Sequence, residues 1–176
     1  MKKSIIWLLA ISLAVLVIGI GTTIAYLIAL SPSVNNVFTI GTVEITLSET
    51  TGNKYVMAPG VTLRKDPTIT VKGGNDECWL FVKVEKDVQL ESFCTYAISD
   101  GWLPLDGYDG VYYQIVDKSN SDRKFSILKD NQVLVKDTVT EEQLNAISAL
   151  DFKFTAGAVQ CFGFDSPNDA WHTLNS

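Results

Sequence analysis

Short runs in which apolar and polar residues alternate, each bounded by turn residues, constrain the fold of this 176-residue chain most. Val43, Ile45 and Leu47 alternate with polar residues, and residues 78–85 largely repeat this pattern. A period of two is typical of a β-strand that buries one face against a core. The sequence therefore predicts an all-β fold, an antiparallel β-sandwich of the jelly-roll type.

The runs that predict strands are rich in β-branched and aromatic residues and end at Gly, Pro, Asn or Asp. They cover residues 43–47, 61–63, 68–72, 78–85, 95–98, 111–116, 124–128, 132–135 and 152–164. Within the last run, Gly157 and Gly163 are expected to be bend or bulge points. Residues 102–110 are expected to form a loop.

One short helix is expected before the last strand. Thr140 and Gln143 have the spacing of a capping box, in which each side chain binds the other residue's backbone N–H. Leu144, Ile147 and Leu150 follow at intervals typical of one helix face.

The apolar N-terminal segment predicts export. A pair of lysines precedes an uncharged run from Ile5 to Leu30, which glycine and threonine interrupt near its end. Small residues before Tyr26 indicate a signal peptide over residues 1–25, cleaved between Ala25 and Tyr26. The run is also long enough for an uncleaved membrane anchor, and that alternative stays open. In both cases we expect the body at the cell surface or secreted into the extracellular matrix.

The charge balance excludes one class of partner. The chain has 14 basic and 20 acidic residues and a net charge of −6. An acidic body repels phosphate backbones, so we expect no nucleic-acid partner.

The three cysteines are Cys78, Cys94 and Cys161. Export permits a disulfide, and Cys78 with Cys94 would close a short loop worth roughly 3 kcal/mol in the chain-entropy model. The alternative is that all three are small buried residues in strands.

The residues offer little for catalysis. His172 is the only histidine, so neither a helical zinc-protease motif nor a Ser-His-Asp triad is indicated, and no nucleotide-binding motif is present. We expect no enzyme activity and no cofactor. Asp100, Asp106 and Asp109 lie in a glycine-rich loop and are a candidate calcium site, although they lack the spacing of a calcium-binding loop. An ordinary acidic turn is the alternative.

Aromatic residues in neighbouring strands raise a second binding hypothesis. Trp79, Phe81, Tyr112 and Tyr113 could line a sugar-binding face. Core packing or cross-strand packing is the alternative interpretation.

Four segments, in order, resemble the TasA/camelysin family. Residues 21–26 (Gly-Thr-Thr-Ile-Ala-Tyr) are similar to the family's cleavage region, and residues 36–43 are similar to the Asn-x-Phe-x-x-Gly-x-Val that opens the mature domain. The other two are Pro59-Gly60 with Lys65-Asp66-Pro67, Val71-Lys72 and Phe81–Val84, and then residues 157–160.

This resemblance implies a secreted jelly-roll protein that builds biofilm matrix fibres or a surface coat. It implies processing by a SipW-type signal peptidase, and assembly with itself and with other matrix or surface proteins. Fibre-forming relatives join subunits by donor-strand exchange. Camelysin carries a peptidase label, but no metal-protease site matches here, so that activity is not expected of this chain.

Residues 26–40 are the candidate donor segment, with Val34, Phe38 and Ile40 as its assembly residues, and the β-sandwich domain would follow over 41–176. An unpaired sheet edge can accept such a strand, and head-to-tail contacts of this kind give filaments. The alternative is that the segment belongs to its own subunit's sheet. For the whole protein, a surface adhesin or carbohydrate-binding module, or a secreted camelysin-like peptidase, are the competing functions.

Overall fold

The computed structural model describes residues 27–28, 39–40, 43–51, 55–147 and 150–176. The expected signal peptide, its Ala25–Tyr26 cleavage site and the assembly residues Val34 and Phe38 lie outside the described residues.

The described residues form thirteen strands, most of them short. They are β1 (Leu27–Ile28), β2 (Thr39–Ile40), β3 (Ile45–Ser48), β4 (Tyr55–Val56), β5 (Thr62–Arg64), β6 (Thr68–Val71), β7 (Cys78–Lys86), β8 (Cys94–Thr95), β9 (Leu103–Pro104), β10 (Val111–Val116), β11 (Arg123–Ser126), β12 (Gln132–Val135) and β13 (Phe152–Gln160).

Three short α-helices accompany the strands: α1 (Leu90–Phe93), α2 (Glu141–Asn145) and α3 (Pro167–Leu174). Helix α2 confirms the expected helix and its capping box, because Gln143 N–H donates to Thr140 Oγ1 over 3.2 Å and Thr140 N–H donates to Gln143 Oε1 over 2.9 Å. The expected apolar stripe is wrong beyond Leu144, because the helix ends at Asn145, before Ile147 and Leu150. Within the described ranges, no helix combines the length and apolar character needed to cross a membrane.

The strands are arranged in layers. The largest sheet has the order β2-β13-β7-β10-β9, and two three-stranded sheets have the orders β11-β6-β3 and β5-β12-β8, with a separate β1-β4 pair. All pairs are antiparallel except β2 with β13, which is parallel. The predicted antiparallel β-sandwich is confirmed.

The main core lies between the five-stranded sheet and the two three-stranded sheets, and it buries the faces that the alternation predicted. Val43, Ile45 and Leu47 are fully buried. The strands of the five-stranded sheet contribute Cys78, Leu80, Val82, Val84, Phe152, Phe154, Ala156 and Ala158.

A second, smaller core lies on the outer face of the five-stranded sheet, beneath α3. Its members are Phe81, Leu105, Val111, Val159, Ala170 and Trp171. The large sheet is therefore covered by apolar side chains on both faces, which explains why Trp79 and Phe81 interrupt the polar positions of β7.

The expected bend at Gly157 is wrong. β13 stays in continuous register with β7 through the Gly157–Phe81 pair and ends at Gln160, short of the expected end at residue 164. A Cβ at Gly157 would make an ordinary van der Waals contact with a methyl carbon of Leu174, 3.5 Å away, so α3 packs over this position. Gly163 has φ +97° and lies in the turn after the strand. The expected loop over 102–110 contains β9.

Candidate functional site

The N-terminal segment pairs with the body of its own chain at two places. β2 lies parallel to β13, with Thr39 opposite Ala158 and Ile40 opposite Val159. β1 lies antiparallel to β4. Both described parts of the candidate donor segment thus pair with strands of the same chain. Ile40 lies in the edge strand of the five-stranded sheet.

β13 has a partner strand on each of its two sides. Among the described residues, β13 pairs with β7 along nine residues and with β2 along two. Within the part of the chain that the structure describes, no other strand pairs with this side of β13. β2 is thus the edge strand of the five-stranded sheet among the described strands.

A buried charged cluster lies where the small sheets meet the large one. Glu49 follows β3 directly and Lys65 follows β5 directly, and their side chains are only 2% and 1% exposed. Lys65 Nζ lies 2.9 Å from Glu49 Oε1 and 3.0 Å from Oε2. Tyr55, which begins β4, donates its hydroxyl to Glu49 Oε1 over 2.5 Å.

Aromatic rings enclose the Lys65 ammonium group. Its nitrogen lies 5.4 Å from the ring centroid of Tyr55, 5.5 Å from that of Phe154 and 5.9 Å from that of Phe152. Burial raises the pKa of the Tyr55 phenol above its ordinary value, and the hydrogen bond to Glu49 raises it further. Tyr55 therefore remains a hydrogen-bond donor at neutral pH.

Asp66 extends the cluster toward the loop after β3. Its carboxylate accepts the backbone N–H groups of Thr50 and Thr51 over 2.8 and 3.1 Å, and it accepts both of their hydroxyls as well. Burial disfavours the charged carboxylate, but these four hydrogen bonds outweigh burial and hold the pKa of Asp66 below its ordinary value. In the sequence, Lys65 and Asp66 stand out only as part of a family resemblance. No local pattern links them to Glu49, which lies 16 positions before Lys65.

The candidate disulfide is not formed in the structure. All three cysteines carry free thiols. Cys78 begins β7, whereas Cys94 follows α1 after the opposite end of that strand, and both are buried. Burial raises the pKa of Cys78 to about 12 and that of Cys94 to about 11, so both thiols stay protonated at neutral pH. Cys161 is partly exposed.

The structure does not gather the candidate calcium ligands. Among the residues it describes, no three His, Cys, Asp or Glu side chains are close enough together to hold a metal ion. Asp100 lies 3.5 Å from Lys129 Nζ, and the backbone oxygen of Asp106 accepts a hydrogen bond from Asn168. His172 is an exposed residue of α3.

The four aromatic residues of the sugar-binding hypothesis do not form one exposed face. Phe81 is fully buried beneath α3, and its ring centroid lies 5.3 Å from that of Trp171. Trp79 and Tyr113 pack beside it, whereas Tyr112 packs against the main core on the other side of the sheet. The alternative interpretation, that these four residues pack into the cores, is therefore confirmed.

Comparisons with protein-family models, with curated proteins and with solved structures find no match for this chain. The resemblance to the TasA/camelysin family therefore rests on the four sequence segments alone and stays a prediction.

Proposed function

We propose that this chain is an extracellular structural subunit of biofilm matrix fibres or of a surface coat, and that it self-associates through its N-terminal strand. The observation that carries the proposal is the parallel pairing of β2, the edge strand of the five-stranded sheet, with β13. The residues that make this pair belong to the segment that follows the expected cleavage site.

A strand at the edge of a sheet is hydrogen-bonded on one side only, so it exchanges more readily than an interior strand. Main-chain hydrogen bonds supply most of the contact in strand addition, and the same bonds form whichever chain donates the strand. Exchange between subunits therefore preserves the local contacts of β2 while linking one body to the next. Such a contact is head-to-tail, and repetition of it gives an open filament.

The β1–β4 pair supplies a second contact for the same segment. Ile28 lies opposite Tyr55, and the Tyr55 hydroxyl is fixed by Glu49 inside the buried cluster. The body thus offers two separate docking positions to the N-terminal segment, one on β4 and one on β13. A segment that reaches a neighbouring subunit would occupy both positions there.

The proposal includes export, removal of the leader by a SipW-type signal peptidase, and assembly with other matrix or surface proteins. It includes no catalytic role. The carbohydrate-binding alternative gains no support from the described residues, because the four aromatic side chains pack into the two cores. The camelysin-like peptidase alternative gains none either, because no three His, Cys, Asp or Glu side chains among the described residues are grouped to hold a metal ion.

The test is a pair of charge substitutions in the mature protein that begins at Tyr26. Ile40→Asp places a charge in β2, and we expect fibres to be lost in electron micrographs while circular dichroism and sedimentation report a folded monomer. Val88→Asp is the matched control, because Val88 lies outside the strands and is 95% exposed. It should assemble normally.

Deletion of residues 26–40 should reproduce the Ile40→Asp result. Normal fibres from both altered proteins would contradict the proposed role of the N-terminal strand.

A further inference from the structure

The buried cluster places an amine and a carboxyl group in contact inside an apolar enclosure. Lys65 Nζ lies within 3.0 Å of both carboxylate oxygens of Glu49, and neither side chain is accessible to solvent beyond 2%. We propose that Lys65 and Glu49 join through an intramolecular amide bond between Nζ and Cδ. The cluster would then be a self-modification site. This inference is independent of the proposed function.

Apolar groups enclose the pair. Two charges removed from water are costly unless they are fully paired, and three aromatic rings surround the amine here. Transfer of one proton from the ammonium group to the carboxylate removes both charges. It leaves a neutral amine, which is a nucleophile, next to a neutral carboxylic acid.

The chemistry balances within the pair. The lone pair of Nζ attacks Glu49 Cδ, and the C=O double bond opens to give a tetrahedral intermediate. One proton moves from nitrogen to a hydroxyl oxygen, the C–O bond breaks, and one water molecule leaves. No oxidant, nucleotide or other reactant is needed. The mass of the product is lower than that of the unmodified chain by one molecule of water.

Tyr55 is placed to assist this reaction. Its hydroxyl donates to Glu49 Oε1 over 2.5 Å, the oxygen on which negative charge develops during the attack. Glu49 Oε2 is then the leaving oxygen. The raised pKa of Tyr55 keeps the donor protonated.

Thr51 connects the reacting carboxyl to a second carboxyl group. Its Oγ1 lies 3.0 Å from the Tyr55 hydroxyl, 3.4 Å from Glu49 Oε1 and 3.0 Å from Asp66 Oδ1. This path of hydroxyl groups can carry a proton between Glu49 and Asp66 during the transfers.

The bond would fasten the part of the fold that holds the N-terminal segment. Glu49 follows β3 and Lys65 follows β5, so the cross-link would close the stretch of chain that carries β4, the partner of β1. It would give an exported protein without a disulfide a covalent staple in its core.

The first test is the mass of the folded, purified protein measured after denaturation. We expect a mass lower than that of the sequence by one water, and a proteolytic fragment in which the peptides of Glu49 and Lys65 are joined. Lys83 and Glu85 provide an internal control. Lys83 Nζ lies 2.8 Å from Glu85 Oε1, but the two side chains are 44% and 48% exposed. That pair should give no cross-link. A full-length mass and separate Glu49 and Lys65 peptides would overturn the proposal.

Two variants test the chemistry. Lys65→Met replaces the amine with an apolar side chain of similar length, so the protein should have the full mass of its sequence. Lys83→Met is the matched control and should leave the water loss unchanged. Tyr55→Phe keeps the ring and removes the donor, so we expect cross-linking to be slower by roughly 100-fold, as when an enzyme loses one oxyanion donor. Persistence of the water loss in Lys65→Met would overturn the assignment to this amine. An unchanged rate in Tyr55→Phe would overturn the role of the phenol.

Discussion

At the scale of single residues, Lys65 and Asp66 are neighbours in sequence with opposite charges and separate partners. Lys65 binds Glu49 among aromatic rings, and Asp66 binds the backbone and hydroxyls of Thr50 and Thr51. Both residues are buried. Because an unpaired buried charge is strongly destabilising, each side chain depends on its own partners to keep this junction folded.

Asp66→Asn tests the second set of partners. The amide keeps the shape of the carboxylate but loses its charge and half of its acceptor oxygens, so we expect unfolding free energy at pH 7 to fall by about 1–3 kcal/mol. Because the folded-state pKa of Asp66 is depressed, its contribution is complete above the ordinary value of 3.8 and is lost as the pH falls below it.

Urea unfolding at pH 7 and at pH 3 measures this effect, and the difference between wild type and Asp66→Asn should shrink at pH 3. Asp100→Asn is the matched control, because the Asp100 side chain is 90% exposed. Equal stability of both variants at pH 7 would mean that the Asp66 hydrogen bonds contribute nothing.

At the scale of elements, the sequence predicted the strands well where alternation and turn residues agree. The bounds of β10 and β12 match the expected runs over 111–116 and 132–135. Helix α2 was predicted because its capping box is a local signal. Long-range contacts explain the rest: β9 contains Pro104 and forms by pairing with β10, and the buried cluster joins residues far apart in sequence.

Helix α3 was missed although it begins with local signals. Ser166 caps it by accepting the Asp169 N–H, and Pro167 occupies its first turn. The helix has only eight residues, and they include too few apolar positions to show a helical period. The helix is stabilised by Ala170 and Trp171, which pack on the outer face of the five-stranded sheet. No local sequence pattern predicts this long-range contact.

Trp171→Ala tests whether α3 covers the second core. Loss of a large buried aromatic side chain should lower the free energy of unfolding by about 3 kcal/mol or more and make the C-terminal residues sensitive to proteases. Denaturant unfolding and limited proteolysis measure the two effects. His172→Ala is the control, since His172 is exposed on the same helix. If Trp171→Ala matched that control, α3 would not hold this core together.

At the scale of the whole molecule, the protein is an acidic β-sandwich. Apolar side chains cover both faces of its large sheet, and a strand of its own N-terminal segment forms one edge of that sheet. In the proposed assembly, subunits associate by strand pairing at this edge, because both faces of the large sheet are already covered. The central claim is that β2 of one subunit can take its place beside β13 of another.

Cross-linking between paired positions tests that claim most directly. Ile40→Cys and Val159→Cys are made in separate chains that also carry Cys161→Ser, because Cys78 and Cys94 are buried and protonated. The two proteins are mixed, assembled and oxidised mildly. We predict a disulfide-linked dimer that contains one chain of each kind and is absent when assembly is prevented by Ile40→Asp. Fibres that form without any such dimer, while a single chain carrying both cysteines cross-links only to itself, would contradict the account.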